Sequence, residues 1–322
     1  MVILITGTTG FVGSHLCDFL LAGNHLVIGT KRHRSNIDNI KHINNSNFHL
    51  IDGIDICSIT SIMKVLKQFR PELIFHLAAQ SFVAQSWEAY NETFNNNITG
   101  TYNILHAICE IYPKTEYPKI LIAGSSEEYG NNKEADNLTE ESLPFPSSPY
   151  GISKLACTLG GIEFFRAYKV PIISTRAFNH TGARRGDSFM VSNFCKQVVL
   201  MEGDKQKPIL LHGDISTYRD YTNVKDMINA YWIAINNCYP GQIYNISSSQ
   251  CYSGLQLIEK IRNYTDIKFE LRSDVNRLRP SDIPVLHSNA NKFKNLTGWK
   301  AYISIDETIK ELLNYWRERA LC

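Results

Sequence analysis

The segment that most constrains the fold is the beginning of the chain, where an apolar run at residues 2–6 leads directly into the motif Gly7-x-x-Gly10-x-x-Gly13. Glycines are needed where such a turn is tight, where the backbone approaches a pyrophosphate and where the following helix packs against the strand. The N-terminus of that helix then offers oriented N–H groups to an anion. A glycine-rich turn is the plainer interpretation, but the position between a strand and a helix favours a dinucleotide-binding site.

Short apolar runs alternate with amphipathic helical segments through the first half of the chain. This alternation is typical of a parallel sheet covered by helices on both faces. We therefore predict an α/β fold, a Rossmann-type doubly wound parallel sheet, with ligands at the carboxyl ends of its strands. The predicted strands cover residues 2–6, 25–29, 73–77, 119–123 and 171–176, and the predicted helices cover residues 11–22, 58–69, 92–109 and 149–168.

The second half of the chain changes character after residue 179. It contains loop-rich segments, a short predicted strand at 209–212 and predicted helices at 224–236 and 306–319. We predict a dinucleotide-binding Rossmann domain at residues 1–180 and a smaller C-terminal α/β lobe for the substrate at residues 181–322. Residues from about 214 to 248 are expected to return to the Rossmann core.

Composition excludes several classes of protein. The chain has 322 residues, 43% of them hydrophobic, and 33 Lys and Arg against 31 Asp and Glu give a net charge of +2. Such a chain is globular and has no basic field for nucleic acid. No apolar run approaches the ~18–20 residues of a membrane helix, and the N-terminus lacks the features of a signal peptide. The eight cysteines are scattered without zinc-ligand spacing, so we expect reduced thiols, no metal site and a cytoplasmic protein without a membrane partner.

Two cations, Lys31 and Arg32, follow the glycine motif. An NAD site usually carries a carboxylate for the ribose hydroxyls there, roughly 20 residues further on. A cation instead can pair with the 2′-phosphate of NADP. The plainer interpretation of this segment is a solvated basic loop without a ligand. We therefore predict NADP(H) as the cofactor in preference to NAD(H).

Tyr150 and Lys154 form a second constellation on the predicted helix that Pro149 begins. Residues four apart lie on one helix face, and an ammonium there can lower the pKa of a phenol by favouring the phenolate. Such a tyrosine can exchange a proton with a sugar oxygen near neutral pH while hydride moves at the adjacent carbon. The pattern is common on ordinary helices, but the glycine motif and Ser125 at a strand end favour the catalytic interpretation.

Five motifs together carry a family resemblance. They are Gly7-x-x-Gly10-x-x-Gly13, the segments 76–81, 124–130 and 176–182, and Tyr150-x-x-x-Lys154. In this order they resemble the extended short-chain dehydrogenase/reductases. More narrowly, the chain is similar to the GDP-sugar branch of that family, which contains GDP-mannose 4,6-dehydratases and GDP-4-keto-6-deoxy-mannose reductases.

The resemblance implies roles for individual residues. Ser125 would hydrogen-bond the C4 oxygen of the substrate, Tyr150 would be the acid/base, and Lys154 would tune Tyr150 and hold the nicotinamide ribose. Glu127 occupies the position of the dehydratase base. The expected cofactor contacts, those of the glycine motif and the basic segment included, are Gly7, Thr9, Gly10, Phe11, Val12, Gly13, Lys31, Arg32, Asp55, Ile56, Leu77, Ala78, Ala79, Ser81, Tyr150, Lys154 and Phe178. The expected substrate contacts are Ser126, Asn179, Val191, Lys196, Arg219 and Arg279.

Two activities of the family stay open. Residues 189–197, 218–224 and 279–284 look like the reductase, whereas residues 182–187 resemble a dehydratase loop that reaches a cofactor across a subunit interface. Glu127 does not decide the question, because the same sequence also occurs in reductases. We favour reduction of the C4 ketone of a GDP-4-keto-6-deoxy-hexose, with 4,6-dehydration of GDP-mannose or a GDP-heptose as the alternative. A non-catalytic NADP(H) sensor is disfavoured, because it has no need for a full acid/base set.

The resemblance also implies an assembly. Relatives pair through the helices that correspond to residues 92–109 and 149–168, so we expect a homodimer. The pair Arg184-Arg185 in the dehydratase-like loop indicates a homotetramer as the alternative.

Overall fold

The computed structural model describes residues 1–132, 136–278 and 283–320, so the expected substrate contact Arg279 lies outside the described residues. The strands are β1 (Val2–Thr6), β2 (Leu26–Thr30), β3 (Phe48–Ile51), β4 (Leu73–His76), β5 (Lys119–Ala123), β6 (Ile172–Ala177), β7 (Asn179–Thr181), β8 (Ile209–His212), β9 (Tyr218–Asn223), β10 (Ile243–Ile246), β11 (Cys251–Ser253), β12 (Glu270–Ser273) and β13 (Val285–Leu286). The α-helices are α1 (Phe11–Ala22), α2 (Ile59–Phe69), α3 (Val83–Glu88), α4 (Tyr90–Phe94), α5 (Gly100–Ile111), α6 (Pro149–Tyr168), α7 (Met190–Glu202), α8 (Val224–Asn237), α9 (Gly254–Arg262), α10 (Asn291–Thr297) and α11 (Ile305–Ala320).

The main sheet has seven parallel strands in the order β10-β6-β5-β4-β1-β2-β3. The order reverses between β1 and β4, which is where doubly wound sheets bind their ligands. The predicted α/β fold class is therefore confirmed. β10 reaches this sheet from the second half of the chain, although the domain boundary at residue 180 stays a prediction.

Helices cover both faces of the sheet. In β1 the side chains alternate, so Ile3 and Ile5 pack with Leu20 of α1 in one apolar cluster, whereas Leu4 packs with Ile108 of α5 in another. Burial on both faces explains why the strands are continuous apolar runs. A third cluster lies beneath α7, α9 and α11, and two small sheets, one around β9 and one of β8 and β12, lie beside it.

Two local features differ from the sequence-based expectation. The strand β3 was not predicted, because this edge strand is short and carries the exposed His49. The helix predicted at 92–109 is interrupted by one π-helical turn at Asn95–Thr99. Asparagine disfavours helix interiors, and the side chain of Asn97 bonds the backbone N–H and C=O of Gln80 and the hydroxyl of Ser153.

No helix in the three described stretches is long and apolar enough to cross a membrane.

Candidate active site

A large cleft lies at the carboxyl ends of the main-sheet strands. Its volume is about 1260 Å³, above the roughly 300–1,000 Å³ of a typical single-ligand pocket. The turns after β1, β4, β5 and β6 line one part, and residues of α7, β9 and the 212–217 loop line the other. The cleft therefore has room for a cofactor and a substrate side by side.

The glycine turn fits a pyrophosphate. Gly7 has a φ of +74°, and a Cβ there would lie 2.9 Å from the backbone of Ala78. A Cβ on Gly13 would lie 2.3 Å from the carbonyl oxygen of Gly7, so helix α1 starts directly against the turn. Since the first N–H groups of a helix lack intrahelical partners, and no side chain of the described residues caps α1, they are available to an anion. The glycine turn and the start of α1 therefore fit the pyrophosphate of the dinucleotide that the sequence predicted.

Thr6 joins the two loops at the point where the strand order reverses. Its hydroxyl oxygen accepts hydrogen bonds from the backbone N–H groups of Leu77 and Ala78, each at 3.2 Å. It also lies 2.9 Å from Nδ1 of His76, which is buried and whose pKa is lowered by burial to about 3. The neutral imidazole of His76 thus holds the Thr6 hydroxyl, and this hydroxyl holds the loop after β4 in place. That loop lines the cleft with Leu77, Ala78, Ala79 and Ser81. This support was not predicted from the sequence.

The basic segment lies at the far end of the cleft. Lys31 and Arg32 both line it, but Nζ of Lys31 is 2.6 Å from a carboxylate oxygen of Asp52. Arg32 is exposed and has no ion pair within the described part of the chain. Arg32 is therefore the cation available to a phosphate.

Of the two residues expected near the adenine, only one lines the cleft. Ile56 does so, together with Ile54. Asp55 is exposed, lies outside the lining, and accepts a hydrogen bond from the backbone of Cys57 at 2.9 Å.

Ser125 follows β5 and begins a 3-10 turn at Ser126–Glu128. Its hydroxyl accepts a hydrogen bond from the N–H of Glu127 at 3.2 Å, and the Glu128 carboxylate accepts one from the N–H of Ser125 at 2.9 Å. This reciprocal capping box holds Ser125 at the cleft. Ser126 and Glu127 line the cleft as well.

Tyr150 and Lys154 stand on α6, whose first turn is capped by Ser148 through the N–H of Gly151. Burial raises the pKa of Tyr150, while a hydrogen bond with Ser125 lowers it and the charge of Glu127 raises it further. Nζ of Lys154 lies 5.9 Å from the Tyr150 ring centroid, donates to the carbonyl of Ala123 at 2.7 Å, and has a pKa lowered by burial. Burial therefore raises the phenol pKa on balance, whereas sequence reasoning had expected the ammonium of Lys154 to lower it.

Arg185 was not among the predicted site residues, yet it lies in the cleft. Its guanidinium carbon is 3.3 Å from the ring centroid of Phe189 and 4.8 Å from that of Phe11. Burial lowers its pKa to about 10, and its charge in turn lowers the pKa of Tyr150. In this single chain Arg185 faces its own cleft, while Arg184 binds Asp18 at 2.7 Å on the outside. The Arg-Arg pair itself was the only signal in the sequence.

The predicted substrate contacts are only partly brought together. Asn179, Val191 and Arg219 line the cleft, as does Phe178 of the cofactor set. Lys196 does not, because its ammonium is 2.5 Å from the carboxylate of Asp187, which lines the cleft in its place. Further lining residues that sequence reasoning missed are Asn193, His212, Tyr221, Tyr231, Asn276 and Arg277, which follow no recognisable spacing.

No group of three or more His, Cys, Asp or Glu side chains suited to a metal ion occurs in the described ranges.

Known proteins resemble the whole chain. The sequence profile of the GDP-mannose 4,6 dehydratase family matches residues 4–312. The GDP-6-deoxy-D-mannose reductase of Pseudomonas aeruginosa is 27% identical over 98% of this chain and 97% of the relative. The human GDP-mannose 4,6 dehydratase is also 27% identical, over 97% of this chain and 90% of the relative.

Solved structures give the same result for the fold. The structure of RMD from Pseudomonas aeruginosa complexed with NADPH has a TM-score of 0.84 at 26% identity and covers 99% of both chains. A UDP-glucose 4-epimerase of Thermotoga maritima, with UDP-glucose, has a TM-score of 0.89 at 26% identity and covers 99% of this chain and 100% of its own. The family resemblance inferred from the motifs is thus confirmed, and the chain belongs to the GDP-mannose 4,6-dehydratase family of extended short-chain dehydrogenase/reductases.

Proposed function

We propose that the protein is an NADP(H)-dependent enzyme that reduces the C4 ketone of a GDP-4-keto-6-deoxy-hexose. The observation that carries this proposal is the meeting of Ser125, Tyr150 and Lys154 in one cleft with the glycine turn. Among the relatives, a GDP-6-deoxy-D-mannose reductase matches over 97% of its length, and a related structure contains NADPH. We also place the enzyme in the cytoplasm, in keeping with its free cysteines.

The chain's own groups divide the reaction between them. A nicotinamide cofactor held at the glycine turn would supply the hydride. The hydroxyls of Ser125 and Tyr150 hold the C4 oxygen, and Tyr150 donates its proton to that oxygen as the alcohol forms. Lys154 stabilises the phenolate that remains. A phenol of ordinary or raised pKa is protonated at neutral pH, so Tyr150 enters the reductive reaction as the acid.

The dehydratase alternative depends on Glu127. Elimination of water across C5–C6 needs a carboxylate base, and Glu127 lines the cleft close enough for its charge to raise the pKa of Tyr150. The site therefore contains a group for either chemistry. The two reactions differ in whether Glu127 must remove a proton from C5 of the sugar.

A direct assay tests the main proposal. Loss of nicotinamide absorbance is expected when NADPH and GDP-4-keto-6-deoxy-mannose are mixed with the protein. Tyr150→Phe keeps the ring but removes the proton donor, so kcat should fall by about 10²–10⁴-fold, while NADPH affinity measured by fluorescence stays near that of the wild type. Turnover by Tyr150→Phe at the wild-type rate would contradict the role of Tyr150. NADPH binding without turnover of any GDP-sugar would favour a sensor.

The variant Glu127→Gln separates the two activities. If the protein is a reductase, NADPH consumption with the 4-keto sugar should largely survive, because the amide keeps the shape of the side chain. If it is a dehydratase, conversion of GDP-mannose to a 4-keto product without net NADPH consumption should collapse. Glu88→Gln is the matched control, since Glu88 also lines the cleft. Equal losses in both variants would point to a general effect of negative charge.

Cofactor preference is expected to depend on Arg32. Losing a charge-assisted hydrogen bond worth roughly 1.5–3 kcal/mol should weaken NADPH binding about 10- to 100-fold in Arg32→Ala and leave NADH binding unchanged. Arg34→Ala is the control, because Arg34 is exposed and outside the cleft lining. Titration of both cofactors by fluorescence measures the ratio. Tighter binding of NADH than NADPH by the wild type would overturn the NADP preference.

We further propose a homodimer that pairs through α6 and the α4–α5 segment, with a tetramer through the Arg184 loop as the alternative. Ile152 and Leu159 lie seven residues apart on one face of α6 and are 47% and 53% exposed. Trp87 and Tyr90 on α3 and α4 are 38% and 52% exposed. Helices α3 and α4 both pack against α6, and exposed apolar side chains grouped on neighbouring helices mark protein interfaces.

A charge on this face should disrupt the dimer. Leu159→Arg is expected to shift the mass measured by light scattering from dimer to monomer, because a buried unpaired charge at an interface is strongly unfavourable. Leu255→Arg is the control, since Leu255 is similarly exposed, at 46%, on α9. A wild-type protein that is monomeric, or a Leu159→Arg variant that stays dimeric, would contradict the assignment.

A further inference from the structure

We propose that Glu128, a buried carboxylate behind the catalytic turn, is a positioning residue that ties Ser125 to the helix carrying Tyr150 and Lys154. The inference rests on the proposed function, for which it names a group that touches neither cofactor nor substrate. Glu128 is 0% exposed and lies outside the cleft lining.

Three elements meet at the Glu128 carboxylate. Oε1 accepts hydrogen bonds from the N–H of Ser125 at 2.9 Å and from the hydroxyl of Thr158 on α6 at 3.0 Å. Oε2 accepts one from Nε of Arg176 on β6 at 2.8 Å. One side chain thus joins the turn that holds Ser125, the helix that holds Tyr150, and the sheet beneath both.

The surroundings are shaped for this carboxylate. A Cβ on Gly124 would lie 2.4 Å from Oε1 of Glu128, so only glycine leaves the space. The guanidinium of Arg176 is 3% exposed and lies 4.6 Å from the ring centroid of Tyr129. The Tyr129 hydroxyl donates to Asn245 on β10 at 2.6 Å. The ion pair is therefore held from several sides.

Stability alone does not explain the arrangement. Removing two charges from water costs so much that a well-packed apolar pair often serves a fold as well or better. An apolar side chain at this position, however, would leave the buried N–H of Ser125 and the hydroxyl of Thr158 without an acceptor. The carboxylate satisfies both donors at once, and in doing so it fixes Ser125 relative to α6.

The charge of Glu128 also acts on the proton-transfer pair. It raises the pKa of Lys154, against the lowering by burial, and contributes to the raised pKa of Tyr150. The groups that act on the Tyr150 hydroxyl or face it are Ser125, Glu127 and Glu128 after β5, Lys154 on α6, Arg185 in the loop before α7 and Tyr231 on α8. Removing the charge of Glu128 should therefore lower the pKa of both members of the pair.

Two variants test the proposal with one matched control. Thr158→Val removes one donor to Glu128 and keeps the ion pair, so kcat should fall about two- to tenfold with unchanged KM. Glu128→Gln also removes the charge, so the alkaline limb of kcat, which reports the Tyr150–Lys154 pair, should move to lower pH. Thr308→Val is the control, because Thr308 is a buried helical threonine on α11 outside the cleft lining, whose hydroxyl donates to the carbonyl of Ser304 and accepts from Asn223.

Hydrogen exchange at the Ser125 amide, followed by mass spectrometry, gives a readout independent of turnover. It should become faster in Thr158→Val and Glu128→Gln but not in Thr308→Val. If Glu128→Gln fails to fold, Thr158→Val decides. Thr158→Val with wild-type kcat and wild-type exchange at Ser125, whatever its thermal stability, overturns the proposal. An inactive wild type would instead refute the proposed function, and the exchange rates alone would then decide the role of Glu128.

Discussion

The close contact between the turn after β1 and the loop after β4 is the constraint on which the rest of the site depends. Gly7 lies so near the backbone of Ala78 that no side chain fits between them, and Thr6 bonds that loop through two N–H groups. Because the strand order reverses here, the helices after β1 and β4 diverge to opposite faces and leave a crevice. This contact therefore positions both the glycine turn and the loop after β4, which line the cleft on the side expected to bind the cofactor. The catalytic turn after β5 then lies next along the sheet, where it can reach the same crevice.

Burial shifts the pKa values of Tyr150 and Lys154 in opposite directions. It raises the pKa of Tyr150 and lowers that of Lys154, because removal from water penalises a phenolate and an ammonium alike. The surrounding charges then decide how far each group moves, with Arg185 favouring the phenolate and Glu127 opposing it. A tyrosine held as a protonated acid is suited to the reduction of a ketone. Added positive charge or further hydrogen-bond donors would favour the phenolate, which is the form that acts as a base.

Sequence reasoning found the parts of the site whose chemistry is local. The glycine motif, Ser125 at a strand end and the Tyr150–Lys154 spacing each need only a few neighbouring residues, and all of them line the cleft. The parts it missed depend on contacts between distant segments. Thr6 is an ordinary strand residue until β4 lies beside it, and Glu128 is a second glutamate in a turn until Arg176 reaches it from β6. Lys196 had the right charge for a diphosphate, but Asp187 holds it outside the cleft. Pattern and propensity give the doubly wound parallel sheet and the glycine turn, whereas the strand order and the pairing of buried charges require the folded structure.

The two activities of the family therefore differ less in architecture than in the use of one side chain. Both need a cofactor and a proton donor or acceptor at the C4 oxygen, and we propose Tyr150 and Ser125 as the residues at that oxygen in either case. Only elimination needs a base at C5, and Glu127 stands in the same turn as Ser125, one residue before Glu128. Because Glu128 accepts from the N–H of Ser125 and the hydroxyl of Ser125 accepts from the N–H of Glu127, the backbone position of Glu127 is linked to that of Ser125. A change in this turn would therefore move Ser125 and the backbone of Glu127 together, so the groups that we propose for the chemistry at C4 and at C5 depend on the same backbone segment.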